Sequence, residues 1–281
     1  MTLRIIENLT EFKTVRNGLT GQVALVPTMG ALHEGHFSLV RKALEAADQV
    51  VVSIFVNPTQ FGPGEDLDRY PRTLDDDLQN IEKLGVGFVL LPSAQAVYPP
   101  GYRTYVQVED LENKLCGRFR PGHFRGVATV VLKLLNLTRP HVVLFGQKDA
   151  QQWLLLQRMI LDLHLDVQLL VCPIVREPDG LAMSSRNRYL TPGQRAAAPV
   201  LHLALQDAER QVQRGQRSAA RILKRVQSHI EQEPLVRLQY AEIVDLKNLE
   251  PVEHLDEECL LALAALVGTS RLIDNTILIP R

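Results

Sequence analysis

Up to about residue 174, short apolar runs alternate with segments whose apolar residues recur at helical spacing. Residues 4–17 read as an edge strand and a short helix. Val23-Ala24-Leu25-Val26 is short enough to be a buried parallel strand. Pro27 is expected to end its ladder, because proline has no N–H to donate. Gly30 permits a tight turn, and His33, Glu34, Gly35 and His36 lead into a helical run of Phe37, Leu39, Val40, Ala43, Leu44 and Ala47. Val50 to Val56 is β-branched and apolar, reads as a central parallel strand, and runs into the polar loop Asn57-Pro58-Thr59-Gln60-Phe61.

Gly62 to Arg72 is a long acidic loop, and Thr73 to Leu84 reads as a helix. Asp75, Asp76 and Asp77 fall in that helix's first turn, where the dipole favours negative charge. Further strands are expected at Val86–Leu91, Thr104–Val108, Val142–Phe145 and Val167–Val171, and further helices at Val127–Leu137 and Ala150–Leu163. Cys116 to Gly126 is basic and glycine-rich, and reads either as a surface loop or as a mobile basic lid over phosphates.

Strands alternating with helices at these lengths imply an α/β fold, a doubly wound, Rossmann-like parallel sheet. The pattern changes after about Ile174: residues 192–232 are helical, and Arg237–Asp245, Cys259–Val267 and Arg271–Ile279 read as strands with a turn at Gly268-Thr269-Ser270. We therefore expect one domain over 1–174 and a smaller α+β domain over 175–281.

A net charge of −1 over 281 residues gives no global reason to expect nucleic acid or an anionic membrane as partner. No apolar run reaches membrane-spanning length, and the opening MTLRIIENLTEFK has no long apolar stretch of the kind a secretory leader carries. Cys116, Cys172 and Cys259 are odd in number and widely spaced, which suggests reduced thiols in a cytoplasm.

Four polar clusters fall at expected strand ends or helix starts: His33/His36, Asn57/Gln60, Gln147/Lys148/Asp149 with Gln152, and Met183-Ser184-Ser185-Arg186-Asn187. The first amides of a helix have no internal partner and the dipole there is positive, so histidines at such a start suit an anion. A pair of surface histidines, or half of a metal site, remains an alternative, although HEGH lacks the spacing of a helical zinc motif. Lys148 can equally be solvated, and Ser184 can equally be a helix cap beside an exposed Arg186. Gly-rich P-loop, dinucleotide-binding and GxSxG signatures are all missing from the sequence. Phosphate handling by histidines, a lysine and a Ser-Ser-Arg loop remains, and suits attack at the α-phosphate of a nucleotide.

His33-Glu34-Gly35-His36 resembles the His-x-Gly-His signature of adenylate-forming nucleotidyltransferases, and Met183 to Asn187 resembles their serine-containing second signature. The wider set (PTMGALHEGH, FVNPTQF, YPRT, RPGHFRGVATVV, GQKDAQQ and LAMSSRNRYL) resembles the pantoate–β-alanine ligases. The motifs run from residue 27 to 190; the C-terminal third carries none comparable.

The resemblance implies that ATP and pantoate give pantoyl adenylate and pyrophosphate, after which β-alanine displaces AMP. It implies that Met29, Gly30, Ala31, Leu32, His33, Glu34, Gly35 and His36 bind ATP with Gly146, Gln147, Lys148, Asp149, the backbone at Val175, and Met183, Ser184, Ser185 and Arg186. His36 would donate a proton or stabilise charge, helped by His33, Lys148, Ser184, Ser185 and Arg186. Gln60 and Gln152 would hold pantoate, with Gln60 also near β-alanine. Mg²⁺ is implied with the triphosphate, its protein ligands unknown beyond Asp149 as a candidate, and a homodimer through the first domain is implied too. Gln147 departs from the family, which often has Glu there. Rival readings are a transferase moving AMP onto a phosphorylated acceptor and a non-catalytic nucleotide sensor. The neutral glutamines argue against the first, and the complete set of His, Lys, Ser and Arg groups against the second.

Overall fold

The computed structural model describes residues 2–280. The chain forms two compact units. The first comprises residues up to Asn113 with Gly117–Gly146 and Leu155–Pro173; the second comprises Lys114–Cys116, Gln147–Leu154 and the chain from Ile174.

The first unit is built on six parallel strands: β1 (Arg4–Ile6), β2 (Val23–Thr28), β3 (Gln49–Ile54), β4 (Phe88–Leu90), β5 (Val142–Gly146) and β6 (Gln168–Cys172). Their order is β1-β4-β3-β2-β5-β6, so the winding reverses between β2 and β5. Ligands of open α/β sheets bind outside the strands' carboxyl ends at such a reversal. The helices are α1 (Leu9–Gly18), α2 (Glu34–Ala46), α3 (Leu74–Lys83), the short α4 (Ala94–Val97), α5 (His123–Thr138) and α6 (Ala150–Asp162), whose first turn belongs to the second unit.

Val23 to Val26 and Val51 to Val52 are fully buried on both faces of the sheet, which is why these strands read as continuous apolar runs. One face packs Ala24, Val26, Val50 and Val52 against Leu39, Val40 and Ala43 of α2 and Ile81 of α3.

The second unit packs α7 (Pro192–Ala197), α8 (Val200–Gln213) and α9 (Ala219–Glu231) on an antiparallel sheet β7 (Val236–Asp245), β8 (Cys259–Val267), β9 (Ser270–Leu278). Ala219, Ile222, Val226 and Ile230 form the buried stripe of α9, and β8 supplies the centre of this core. Among the described residues no helix is long and apolar enough to cross a membrane, and all three cysteines are free and buried.

Three expectations are corrected and one is sharpened. Pro27 does not end β2, which pairs with β3 through Thr28↔Ile54. Val23 bonds toward the β5 side and Thr28 toward β3. Pro27 therefore turns its missing N–H to the β5 side, beyond the last pair there, Leu25↔Val143. Residues 104–108 form no strand: Val106 N–H donates to Thr129 Oγ1 of α5, and Tyr105 lies under Arg125, so the extended backbone rests on a helix and has no ladder partner. The 116–126 stretch is folded: Leu115–Phe119 is a 3₁₀ turn, α5 starts at His123, and Arg120 pairs with Glu65 at 2.5 Å. Residues 192–232 form three helices, interrupted at Pro199 and at Gly215 with φ +91°.

Candidate active site

The chemistry of the first unit begins where β2 ends. Thr28 donates its hydroxyl to Ser53 O at 2.8 Å and accepts Gly30 N–H at 3.3 Å. Gly30 and Ala31 then both take left-handed backbone, φ +80° and +51°. For alanine this conformation is costly and persists only where the surroundings impose it. Asp77 imposes it here: its two carboxylate oxygens accept Ala31 N–H and Leu32 N–H, each at 2.8 Å. Thr73 Oγ1 adds a bond to Asp77 at 3.1 Å. Asp77 thus sits 3% exposed and is a clamp on the loop, where the sequence suggested only a partner for the helix dipole. The available signal was its placement four residues before Ile81, on the buried face of α3.

His33 caps α2, its Nδ1 accepting Gly35 N–H at 3.2 Å, while His36 Nδ1 accepts His33 N–H at 3.3 Å. This reciprocal cap corrects the expectation that bare amides greet an anion: two of the amides are taken by the imidazoles themselves. A neutral imidazole whose Nδ1 accepts carries its proton on Nε2. Both rings, with centroids 4.1 Å apart, therefore present Nε2–H as their donor. Glu34 pairs with Arg41.

Gln60 lies in the 3₁₀ turn Pro58–Gln60 after β3 and is 8% exposed. Asn57 Nδ2 donates to Gln60 Oε1 at 2.9 Å and to Gly126 O at 3.1 Å. Asn57 Oδ1 in turn accepts Tyr98 Oη–H and Thr59 Oγ1–H, each at 2.9 Å. The Gln60 amide is thereby oriented with Nε2 toward Met29 Sδ at 3.0 Å, a weak acceptor that a carboxylate or hydroxyl can replace. Gly126 of α5 makes this turn possible, because a Cβ there would sit 2.3 Å from Thr59 O. The Gln60 carbonyl accepts His123 Nδ1–H at 2.8 Å, and Arg120 donates to His123 Nε2 at 3.0 Å.

In the second unit, the 3₁₀ turn Gln147–Asp149 carries Lys148 half-buried and Asp149 exposed. Asn275 Nδ2 donates to Gln147 O at 3.0 Å and Lys148 O at 2.9 Å, and Gln147 Nε2 reaches Asn275 Oδ1 at 3.4 Å. Of the glutamines on α6, Gln151 is buried and spans Cys116 N and Lys114 O, while Gln152 is half-buried. Val175 O accepts Met183 N–H at 3.0 Å, so these two positions close one hairpin. Ser184 caps the 3₁₀ segment Ser185–Tyr189 by accepting Arg186 N–H at 3.3 Å; Ser185 is buried and Arg186 half-buried. Asp77, Asp274 and Asn275 are contributors that motif reading missed, and Gly126 lies within the motif RPGHFRGVATVV without its role being read there.

A family model described as Pantoate-beta-alanine ligase matches residues 2–277. The chain belongs to the pantoate–β-alanine ligase family. The pantothenate synthetase of Thermotoga neapolitana is 52% identical over 279 residues, covering 98% of this chain and 100% of its own. A crystal structure of pantothenate synthetase from Thermus thermophilus superposes with a TM-score of 0.94 at 42% identity, covering 99% of this chain and 100% of that one. The Francisella tularensis pantoate–β-alanine ligase, solved complexed with β-γ ATP and β-alanine, gives a TM-score of 0.80 at 34% identity, covering 98% of each chain. The parallel six-stranded sheet with a small α+β unit is thus the fold of this ligase family, as the alternation of elements implied.

Proposed function

We propose that this chain condenses pantoate with β-alanine at the expense of ATP, forming pantothenate, AMP and pyrophosphate through pantoyl adenylate. The pantoate carboxylate attacks the α-phosphorus and pyrophosphate leaves. The amine of β-alanine then attacks the acyl carbon, and AMP departs with the bridging oxygen. Membership of the ligase family over residues 2–277 supports the reaction.

The observation that carries the chemistry is the histidine pair at the head of α2. With both Nδ1 atoms accepting backbone N–H groups, the two Nε2–H groups are donors fixed in place before charge develops, which favours the transition state over the ground state. His36 acts on the α-phosphate with His33, Lys148, Ser184, Ser185 and Arg186. Met29 to His36, Gly146 to Asp149, Val175 and Met183 to Arg186 hold ATP. Gln60 and Gln152 hold pantoate through neutral donors and acceptors, where a carboxylate would repel it; Gln60 also lies near β-alanine.

Mg²⁺ belongs to the same proposal. An ion on a triphosphate needs few protein ligands. Among the described residues no group of three or more His, Cys, Asp or Glu could hold a metal, and Asp149 offers a single exposed carboxylate beside Lys148. Free cysteines support a cytoplasmic enzyme. A homodimer through the first domain is part of the same proposal. The lid role of residues 175–281 is part of the reading. The test is turnover with ATP, pantoate and β-alanine, each omitted in turn. AMP and pyrophosphate in equal amounts, dependent on pantoate, are expected; ADP and phosphate would refute it.

A further inference from the structure

Strand β9 alternates between faces, and Leu272 and Leu278 mark the face turned to the core. Asp274 stands on that same face, 3% exposed, where the pattern calls for an apolar residue. Asn275 points the other way, yet is 2% exposed. Two adjacent polar side chains are therefore buried on opposite faces of one strand. Stability alone does not account for them. An ion pair in a core is commonly no better than well-packed apolar side chains, and a lone buried carboxylate is far worse.

Each of the two holds a different loop. Asp274 accepts a bidentate pair from Arg176, at 2.6 and 3.0 Å. Arg176 also donates to Gly180 O at 3.1 Å and bridges to Ala182, so it fixes the base of the hairpin whose next residues are Met183 and Ser184. Asn275 uses both hydrogens of its amide on the carbonyls of Gln147 and Lys148. The Asn275 N–H in turn donates to Asp274 Oδ1 at 2.8 Å, which joins the two supports.

We infer that Asn275 and Asp274 are positioning residues for adenylate formation, Asn275 acting through Lys148 and Asp274 through the loop that carries Ser184 to Arg186. The inference rests on the ligase reading above. Groups that meet developing charge must be held to within a fraction of an ångström, and a strand holds them better than a loop does. The dipeptide lies in the C-terminal third, where the sequence shows no catalytic signature.

The experiment is single-turnover kinetics on Asn275→Ala, Asn275→Ser and Asp274→Asn, with melting temperatures measured alongside. Two reactions are followed: pyrophosphate release from ATP and pantoate, and pantothenate formation from supplied pantoyl adenylate and β-alanine. A misplacement of about 1 Å can cost about 10²-fold in rate, and Asn275→Ala is expected to slow pyrophosphate release on that order. Amide formation from supplied adenylate should change far less. Asn275→Ser, which keeps one donor, should recover part of the loss, and Asp274→Asn should raise the KM for ATP more than it lowers kcat. In a Lys148→Ala background, Asn275→Ala should cost only about threefold or less, because residues acting as one unit are not additive. Equal losses in both half-reactions, full multiplication with Lys148→Ala, or failure of both Asn275 variants to fold would each make the residue merely structural and overturn the inference. A wild type that releases no pyrophosphate with pantoate would instead bring down the ligase reading itself. Normal wild-type turnover with unimpaired variants sinks this inference alone.

Discussion

After β2 the backbone offers amides, and a carboxylate from α3 receives them. After β5 it offers carbonyls, and an amide from β9 donates to them. Asp77 holds Ala31 and Leu32 in the first case, and Asn275 holds Gln147 and Lys148 in the second. Both clamps are almost wholly buried, and both come from segments outside the motif they support. The difference lies in charge. Asp77 places an anion beside a loop proposed to bind phosphates, but spends both oxygens on N–H groups, which disperses that charge. Asn275 is neutral and leaves Lys148 as the local cation. The side chains proposed to react thus stand beside turns whose geometry is set by buried polar groups from other segments.

The largest expected effect separates reactive groups from clamps. His36→Ala and Lys148→Ala should each slow adenylate formation about 10²–10³-fold, the usual cost of losing a donor to developing charge. ATP affinity should fall much less. Rapid-quench pyrophosphate release and calorimetric ATP titration measure the two; an equal fall in both would mean these groups bind and do not catalyse.

Next comes the first clamp. Asp77→Ala leaves two buried amides without acceptors and Ala31 in a strained conformation, so stability should drop by about 2–3 kcal/mol. Chemical denaturation reads this directly. A loss under about 0.5 kcal/mol, the size of an ordinary surface substitution, would show that the loop does not depend on its carboxylate.

A smaller effect is expected from behind the Gln60 turn. In Gly126→Ala the added methyl meets Thr59 O at 2.3 Å, and such overpacking typically costs about 1–3 kcal/mol. The KM for pantoate should rise while ATP affinity holds. Parallel losses in both would place the damage in the whole unit.

The smallest is a pH effect. Burial raises the Glu65 carboxyl, but the hydrogen bond and charge of Arg120 outweigh it and hold the group below the usual glutamate range. A depressed folded value means the pair's contribution is complete above that range and is lost as pH falls through the folded value. Glu65→Gln should therefore lower stability at neutral pH by the pair's contribution, leave the acid limit nearly unchanged, and so flatten the acid-side decline. An unchanged acid limb would show that the pair contributes nothing measurable.

The central strands β2 and β3 were legible because burial on both faces leaves a continuous apolar run, as at Val23–Val26, and β8 was read at its observed bounds, Cys259–Val267. Thr104–Val108 carries strand chemistry too, but a sequence records propensity and not whether an edge is there to pair with. The histidine pair, Gln60, Lys148 and the Ser184–Arg186 loop stood out as motifs. Their supports did not, since each belongs to another pattern: Asp77 looks like its neighbours Asp75 and Asp76, Gly126 is one glycine in a glycine-rich stretch, and Asp274 and Asn275 sit in an ordinary strand. Phase was the readable clue. Asp77 falls in step with buried Ile81 and Asp274 in step with buried Leu272, so each is a charge on a face that should be apolar.

The adenylate itself is open to one direct measurement. Pantoate labelled with ¹⁸O in both carboxylate oxygens is turned over with ATP and β-alanine, and the products are examined by mass spectrometry. Attack of the carboxylate on the α-phosphorus predicts one ¹⁸O in AMP and the other in the amide carbonyl of pantothenate, with unlabelled pyrophosphate. Label appearing in inorganic phosphate beside ADP, or no label in AMP, would contradict the account.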